Sequence, residues 1–142
     1  MLISTKGRYA LRVMIDLAEH YSEEFITLNT IAERQNISEK YLESIITVLS
    51  KKGLVDALRG KGGGYRLNRA PEEYTAGEIL ESVEGTVSAV SCLKEEKNMC
   101  SRSAECRTLP MWTQLNKVIN DYLKGVTLLS LVSETPGNDF VI

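Results

Sequence analysis

The sequence predicts a mainly α-helical fold that carries one small β-hairpin. Apolar residues recur at steps of three and four in several long segments, which is typical of amphipathic helices. Residues 54–67 change to a different pattern, in which two short alternating segments flank a run of glycines. That pattern is typical of two strands joined by a tight turn.

Three helices are predicted before the hairpin. The first spans residues 8–21, and the second spans residues 28–34 and is followed by a turn at Asn36. Ser38 caps a third helix that runs to about Lys52. The apolar stripe predicted for the first helix comprises Ala10, Val13, Met14, Leu17, Ala18 and Tyr21.

The hairpin follows the third helix. Residues 54–58 and residues 65–67 alternate apolar with small or polar side chains, as half-buried strands do. Between them, residues 59–64 read Arg-Gly-Lys-Gly-Gly-Gly, a basic tip with a flexible backbone. Helix, helix, turn, helix and hairpin, in this order, are the parts of a winged helix-turn-helix.

The second half of the chain is predicted to contain three helices and one long loop. Thr75 opens the first of them, with Glu78 at the third helical position as in a capping box. Residues 86–108 show no sustained period and are predicted to form the loop. A long helix follows Pro110, and a last short helix begins at Leu128.

Three parts are therefore predicted along the chain. Residues 1–84 form the winged helix-turn-helix, residues 85–109 a loop with all the cysteines, and residues 110–142 the long helix with a C-terminal tail. The long helix has a continuous apolar stripe, so we expect it to pair with its twin in a second copy. Packing inside one chain is the alternative. The stripe comprises Met111, Trp112, Leu115, Val118, Ile119, Tyr122 and Leu123.

Composition and charge narrow the function classes. The 142 residues include no membrane-spanning apolar stretch and no signal-peptide segment at the start, so we expect a cytoplasmic protein. The net charge is −2, but it is unevenly distributed. Residues 1–70 hold 11 basic and 8 acidic residues, a charge of 11 − 8 = +3. Residues 71–142 hold 6 basic and 11 acidic residues, a charge of 6 − 11 = −5. A basic first half favours nucleic-acid binding, with a chance split as the alternative. Because the chain has one His and no recognisable catalytic set, an enzyme is not predicted.

The third helix and the hairpin tip carry the residue types expected to contact DNA. The second helix of a helix-turn-helix enters the major groove and presents its N-terminal side chains to base edges. Glu43 there can accept a hydrogen bond from a cytosine amino group, with a solvated surface acid as the alternative. At the tip, glycines let the backbone approach phosphates, and Arg59 and Lys61 add positive charge. The candidates in the third helix are Ser38, Glu39, Lys40, Tyr41, Glu43 and Ser44.

Cys92, Cys100 and Cys106 have seven and five residues between them and can share one site in the loop. Thiolates bind soft metals and iron–sulfur clusters. A redox-sensing pair, a structural zinc site and ordinary thiols are the alternatives, and zinc would require a fourth ligand. The single histidine, His20, is expected to lie on the surface of the first helix.

Several segments resemble the Rrf family of bacterial transcription regulators. The resemblance covers about residues 1–130 and rests above all on Tyr-Leu-Glu at 41–43 and Arg-Gly-x-x-Gly-Gly-Tyr at 59–65. It implies a homodimeric winged-helix protein that binds double-stranded operator DNA. The other matching segments are residues 4–10, 31–35 and 52–55.

The resemblance also implies roles for individual residues. It places Tyr41 and Glu43 in the recognition helix, and Arg59 and Gly60 in the wing. The residues that it places near the DNA backbone are Ser4, Lys6 and Tyr9.

The same resemblance gives the cysteines a cofactor. In the IscR, NsrR and RirA members of the family, three cysteines in this loop ligate an iron–sulfur cluster, and the spacing here is most similar to that of RirA. CymR-type members lack the set. Leu109 stands where IscR has a histidine ligand, so the fourth ligand is open among Glu105, a water and a small thiol. We expect a four-iron cluster at the three cysteines, with a two-iron cluster as the next choice.

These interpretations together predict a repressor whose operator affinity is controlled by a cluster that senses iron, oxygen or nitric oxide. The alternative is a winged-helix protein-interaction module, or a thiol- or zinc-based redox regulator without a cluster.

Overall fold

The computed structural model describes residues 3–95 and 100–134. Within these ranges it has the predicted order of helix, helix, turn, helix and hairpin, followed by three more helices. The helices are α1 (Thr5–Glu19), α2 (Leu28–Gln35), α3 (Glu39–Lys51), α4 (Ala76–Glu84), α5 (Leu109–Gly125) and α6 (Leu128–Ser133). The strands are β1 (Val55–Leu58) and β2 (Gly64–Leu67), and short 3₁₀ turns lie at Pro71–Glu73, Ser91–Leu93 and Ser103–Glu105.

Helix α1 begins earlier and ends earlier than predicted. Ser4 is its N-cap, and the Ser4 hydroxyl oxygen accepts a hydrogen bond from the Gly7 amide at 3.0 Å. The helix ends at Glu19, so Tyr21 lies outside it and is 50% exposed. The predicted place of Tyr21 in the apolar stripe is therefore wrong, because the chain has already left the helix at His20.

Polar side chains cap the starts of α2, α3, α4 and α6, and Asn36 forms the turn between α2 and α3. Ser38 and Thr75 each accept a hydrogen bond from the amide three residues later, as the sequence predicts. Asn36 supplies the predicted turn with a left-handed backbone, at φ 53°. In a capping box, the Glu78 carboxylate would turn back to Thr75. In the structure it forms an ion pair with Arg69 instead, at 3.1 Å between carboxylate and guanidinium.

The hairpin is held against the helical part of the molecule. Strands β1 and β2 pair antiparallel, with Val55 opposite Leu67. Ile26, in the connection between α1 and α2, pairs with Tyr65 through two backbone hydrogen bonds of 2.9 and 2.8 Å. Gly64 has φ 150°, and a Cβ there would collide with the Ile26 carbonyl, so only glycine fits this close approach.

The core surrounds α1, which packs against α2, α3, α4 and α6. Tyr74 is completely buried and ties the base of the hairpin to this core. Its hydroxyl donates to the Leu54 carbonyl at 2.8 Å and accepts from the amides of Asn68 and Arg69 at 3.0 and 3.2 Å. Other fully buried residues are Val13, Met14, Leu42, Ile45, Ile79 and Leu128.

Between α4 and α5, the described residues 86–95 and 100–108 contain only two short 3₁₀ turns, in agreement with the predicted loop, and α5 anchors part of them. Ala89 donates its amide to Asn116 Oδ1 at 2.6 Å, and Asn120 Nδ2 donates to the Val87 carbonyl at 3.2 Å. Helix α5 itself has no buried residue. The apolar side chains that it exposes, from 39% to 70%, are Met111, Leu115, Val118 and Tyr122.

Among residues 3–95 and 100–134, no helix has the length and apolar character needed to cross a membrane. The division of the chain after residues 84 and 109 stays a prediction.

Candidate nucleic-acid interface and cysteine loop

Helix α3 buries one face in the core and exposes the other. Leu42 and Ile45 are fully buried, which fixes the rotation of the helix about its own axis. Ser44 is exposed, and its hydroxyl donates to the Tyr41 carbonyl at 2.6 Å, so this hydroxyl is engaged within the helix. Ser38 is exposed but serves as the N-cap. The remaining predicted contact residues on the exposed face are Glu39, Lys40 and Glu43.

Tyr41 differs from its neighbours because it is half-buried against α1. Its ring centroid lies 5.8 Å from that of Tyr9 in a tilted arrangement. The Arg12 guanidinium stacks over the Tyr9 ring at 4.8 Å. Tyr9 and Tyr41, which the sequence placed in the DNA-contacting set, therefore also form part of the contact between α1 and α3.

The glycines of the hairpin tip have two different roles. Gly60 and Gly62 have positive φ angles of 91° and 78°, with open space where a Cβ would stand. Gly63 and Gly64 are tightly enclosed by backbone, and side chains there would collide with it. The tip residues Arg59, Gly60 and Lys61 are all exposed, so charge and accessible backbone occur together. We call residues 59–62 the wing tip.

A groove of about 620 Å³ separates α3 from the wing tip. Thr47 and Lys51 line it from α3, and Arg59 and Gly60 line it from the hairpin. The structure thus brings the C-terminal half of α3 and the wing tip to neighbouring positions on one surface, which the sequence could suggest only from their order.

The start of α1 has a contact that the sequence analysis missed. The Ser4 amide donates to Glu84 Oε1 at 2.8 Å, and the Ser4 hydroxyl donates to the same oxygen. A Cβ at Gly7 would collide with this carboxylate, so glycine at position 7 permits its approach. Ser4 is exposed and Lys6 is half-buried. A glycine in the first turn of a helix is the one sequence signal that could have indicated this contact.

The loop brings two of its three cysteines to one place. Cys100 and Cys106 line a surface pocket of about 490 Å³, together with Arg102, Glu105 and Arg107. Cys92 is half-buried in the Ser91–Leu93 turn and does not line that pocket. Within the described part of the chain, no three metal-ligating side chains form a group.

The surroundings of Cys106 favour its thiolate form. Its sulfur lies 3.3 Å from the Thr108 hydroxyl, and this hydrogen bond is the main cause of a lowered Cys106 pKa. Hydrogen bonds from the backbone at Thr108 and Leu109 and the charge of Arg102 also lower the pKa, and desolvation partly opposes them. A lowered pKa increases the fraction of nucleophilic, metal-binding thiolate near neutral pH.

Comparison with known proteins identifies the family. Residues 3–134 match the Rrf2 family model, which is described as an iron-dependent transcriptional regulator. IscR of Erwinia tasmaniensis, an HTH-type transcriptional regulator, is 39% identical over 133 residues, which cover 94% of this chain and 79% of IscR.

Two solved structures of CymR are similar over nearly the whole fold. CymR of B. subtilis, described as its global cysteine regulator, has a TM-score of 0.76 and 36% identity, covering 95% of this chain and 98% of CymR. The oxidised form of Staphylococcus aureus CymR has a TM-score of 0.73 and 34% identity, covering 95% of this chain and 98% of that one. The predicted winged helix-turn-helix fold is thereby confirmed. The chain belongs to the Rrf2 family of transcriptional regulators.

Proposed function

We propose that the chain is a homodimeric repressor that binds operator DNA and whose affinity is controlled by an iron–sulfur cluster in the cysteine loop. The observation that carries the DNA-binding part is the exposed face of α3 beside the exposed basic wing tip. A helix and a hairpin so arranged can contact one groove and the flanking backbone at the same time.

Individual residues have distinct roles in this proposal. Glu43, exposed on α3, accepts from a cytosine amino group in the major groove, and Lys40 contacts phosphate. Arg59 enters the minor groove from the wing tip, where Gly60 lets the backbone come close to phosphate. Ser38 and Glu39 present the start of α3 to the DNA, Ser44 lies in its second turn, and Lys61 adds charge to the tip. Ser4 and Lys6 face the DNA backbone from the start of α1.

The exposed apolar face of α5 supports the homodimer. Met111, Leu115, Val118 and Tyr122 follow each other at steps of four, three and four, so they lie on one face of the helix. Contiguous apolar surface of this kind marks interaction sites. A second copy that presents the same face would bury it, as a twofold interface requires.

The chemistry of the loop supports a cluster held by Cys92, Cys100 and Cys106. Thiolates are the ligands that iron–sulfur clusters use. The lowered pKa of Cys106 favours the ligating form, and Arg102 and Arg107 at the pocket offset the negative charge of several thiolates. A bound cluster would supply a group whose presence and oxidation state depend on iron, oxygen or nitric oxide. The four-iron form remains our preferred assignment, with Glu105 of the same pocket a candidate fourth ligand.

A thiol-based switch without a cluster is the second candidate, because specific observations favour it. Cys100 and Cys106 share one pocket, and the Cys106 thiolate is favoured. CymR of S. aureus, a structural relative, has been solved in an oxidised form. In this alternative the loop responds to oxidants through its thiols alone.

Anaerobic purification separates the two candidates. The cluster predicts a brown protein with about four iron and four sulfide per chain, whereas the thiol switch predicts a colourless protein without iron. Zinc in a colourless protein would support the structural-metal alternative. Operator affinity is then compared between the cluster-bearing protein and Cys92→Ala. Equal affinity with equal salt dependence would contradict control by the cluster.

The DNA-binding part has its own test on a duplex that the wild-type chain enriches from a random-sequence pool. Arg59→Ala should weaken binding and lower the slope of log affinity against log salt by about one. Glu43→Gln should cost about 1–3 kcal/mol of discrimination at one base pair. Lys117→Ala, an exposed residue of α5, is the control, and wing and control variants that behave alike would contradict the proposal.

A further inference from the structure

Three polar or aromatic residues on one face of α1 contact the two helices on either side of the turn that leads into α3. They are Tyr9, Arg12 and Asp16, spaced by three and four residues, and we call them the α1 polar face. Their partners lie in the last turn of α2 and in the first turn of α3. None of these contacts was expected from the sequence, because each joins residues that are far apart along the chain.

Asp16 is the buried end of this face, at 1% exposure. Its two carboxylate oxygens accept from Arg34 Nη2 at 2.6 Å and Nε at 3.1 Å, and Gln35 Nε2 donates to it at 2.8 Å. A buried carboxylate is strongly destabilising unless its partners stay in place. The last turn of α2 therefore has to keep one register against α1.

Arg12 also binds Gln35 of α2, through atoms that Asp16 does not contact. Arg12 Nε donates to Gln35 Oε1 at 3.2 Å, and Arg12 Nη2 donates to the Gln35 backbone carbonyl. That carbonyl belongs to the final turn of a helix, where intrahelical partners are lacking. The side-chain nitrogen, the side-chain oxygen and the backbone carbonyl of Gln35 are thus all held by α1.

Gln35 stands next to the turn that sets the direction of α3. Asn36 follows it in the left-handed conformation, and α3 begins at Glu39. A shift of Gln35 is therefore passed to the first turn of α3 through only residues 36–38. A second route reaches α3 directly, because the Arg12 guanidinium stacks on Tyr9 and the Tyr9 ring contacts Tyr41.

We propose that the α1 polar face positions α3 for operator recognition, with Gln35 as its main point of action. This inference rests on the proposed DNA binding by α3. Apolar burial is non-directional, whereas hydrogen bonds to Gln35 require narrow distances and angles. The network therefore sets the angle of α3, and its residues act as positioning residues that need not touch a base.

The main test is Gln35→Met, which keeps the length of the side chain and removes both of its hydrogen-bonding atoms. Binding is measured to the 30-base-pair duplex enriched from a random pool by the wild-type chain, and to a shuffled duplex of equal composition. We expect affinity for the enriched duplex to fall about tenfold, with less than about a twofold change for the shuffled one. Thr113→Met, a replacement by methionine at an exposed and uncharged position of α5 away from its apolar face, is the control and should change neither affinity.

Arg12 separates positioning from direct phosphate contact. Arg12→Lys keeps the charge but loses the planar group that reaches both oxygens of Gln35. Positioning predicts that Arg12→Lys loses enriched-duplex affinity as Gln35→Met does, and that the double variant loses no more than either single one. Wild-type affinity in Arg12→Lys, or equal losses on both duplexes, would overturn the inference.

Two further outcomes are distinguished by the same experiment. A wild-type chain that enriches no duplex would refute the proposed function itself. A wild-type chain that does so, together with a Gln35→Met variant of unchanged preference, would refute only the positioning role. Thermal unfolding of each variant is measured alongside binding. If the lost preference for the enriched duplex returns at a temperature where both the variant and the wild type are fully folded, the loss is due to reduced stability, and the inference is overturned.

Discussion

Replacement of Tyr74 by Phe tests how the wing is attached to the helical core. The Tyr74 hydroxyl contacts both ends of the hairpin, since Leu54 precedes β1 while Asn68 and Arg69 follow β2. The phenyl ring of the variant fits the same space, because only the oxygen atom is removed. The variant therefore removes these contacts, together with the one between the hydroxyl and the Asn68 side-chain oxygen at 3.1 Å, with little change in packing.

The expected cost follows from what remains without a partner. The Leu54 carbonyl belongs to a residue that is 4% exposed, and an unsatisfied buried group of this kind costs about 1–3 kcal/mol. The amides of Asn68 and Arg69 lie nearer to solvent, and water replaces part of their loss at about 0.5 kcal/mol each. The total is about 2–4 kcal/mol, which lowers Tm by roughly 5–15 °C for a chain of this length.

Urea unfolding followed by circular dichroism measures this free energy, and amide hydrogen exchange locates it. We expect faster exchange at the amides of Asn68 and Arg69 than in the wild type, because they lose their acceptor. Tyr21→Phe is the matched control, since Tyr21 is 50% exposed. Equal unfolding midpoints for the two variants, with unchanged exchange at the hairpin base, would refute the reasoning.

Three further predictions follow from the same structure. Burial raises the pKa of Tyr74, so the stability that the neutral Tyr74 side chain contributes is complete below the ordinary tyrosine value of about 10 and is lost as pH rises through the raised pKa. The urea midpoint should therefore fall more steeply in alkali for the wild type than for Tyr74→Phe. Parallel curves for the two proteins would contradict this. Gly64→Ala should destabilise the fold by about 3 kcal/mol or more, because it combines a positive φ with a collision at Ile26. Gly62→Ala, which has open space around it, should cost about 1–2 kcal/mol in the same unfolding assay. Equal costs would argue against the close approach of Gly64 to the Ile26 backbone. Val118→Glu should convert the proposed dimer into a monomer in analytical ultracentrifugation, because it places a charge in the exposed apolar face of α5. An unchanged sedimentation coefficient would contradict the proposed interface on that face.

The cysteine loop shows where prediction from the sequence ends. The spacing of Cys92, Cys100 and Cys106 places them in one segment, but the structure brings only Cys100 and Cys106 to a common pocket. The lowered pKa of Cys106 depends on Thr108, two residues away, and was not anticipated. The cluster and its ligands therefore remain a proposal for the chemical analysis described above.

Several parts of the interface depend on contacts between distant residues. The carboxylate of Glu84 at the start of α1 and the contacts of Arg12 and Asp16 with Gln35 link positions about 20 to 80 apart in sequence. No periodicity or cap indicates them, because each depends on how two helices pack. Tyr21 is the opposite case. The helical spacing of apolar residues continues to it in the sequence, but the helix ends before it and leaves its side chain exposed.

The sequence by itself determined the order of the elements, the caps at Ser38 and Thr75, the turn at Asn36 and the hairpin, but not the cap at Ser4. These features depend on residues within a few positions of each other, so composition and period are enough to predict them. Only the tertiary structure decided which side chains of α1 meet Gln35, which carboxylate reaches Ser4 and which cysteines share a pocket. The physical reason is that hydrogen bonds and side-chain contacts act over a few ångströms, and packing alone brings such distant residues within that range.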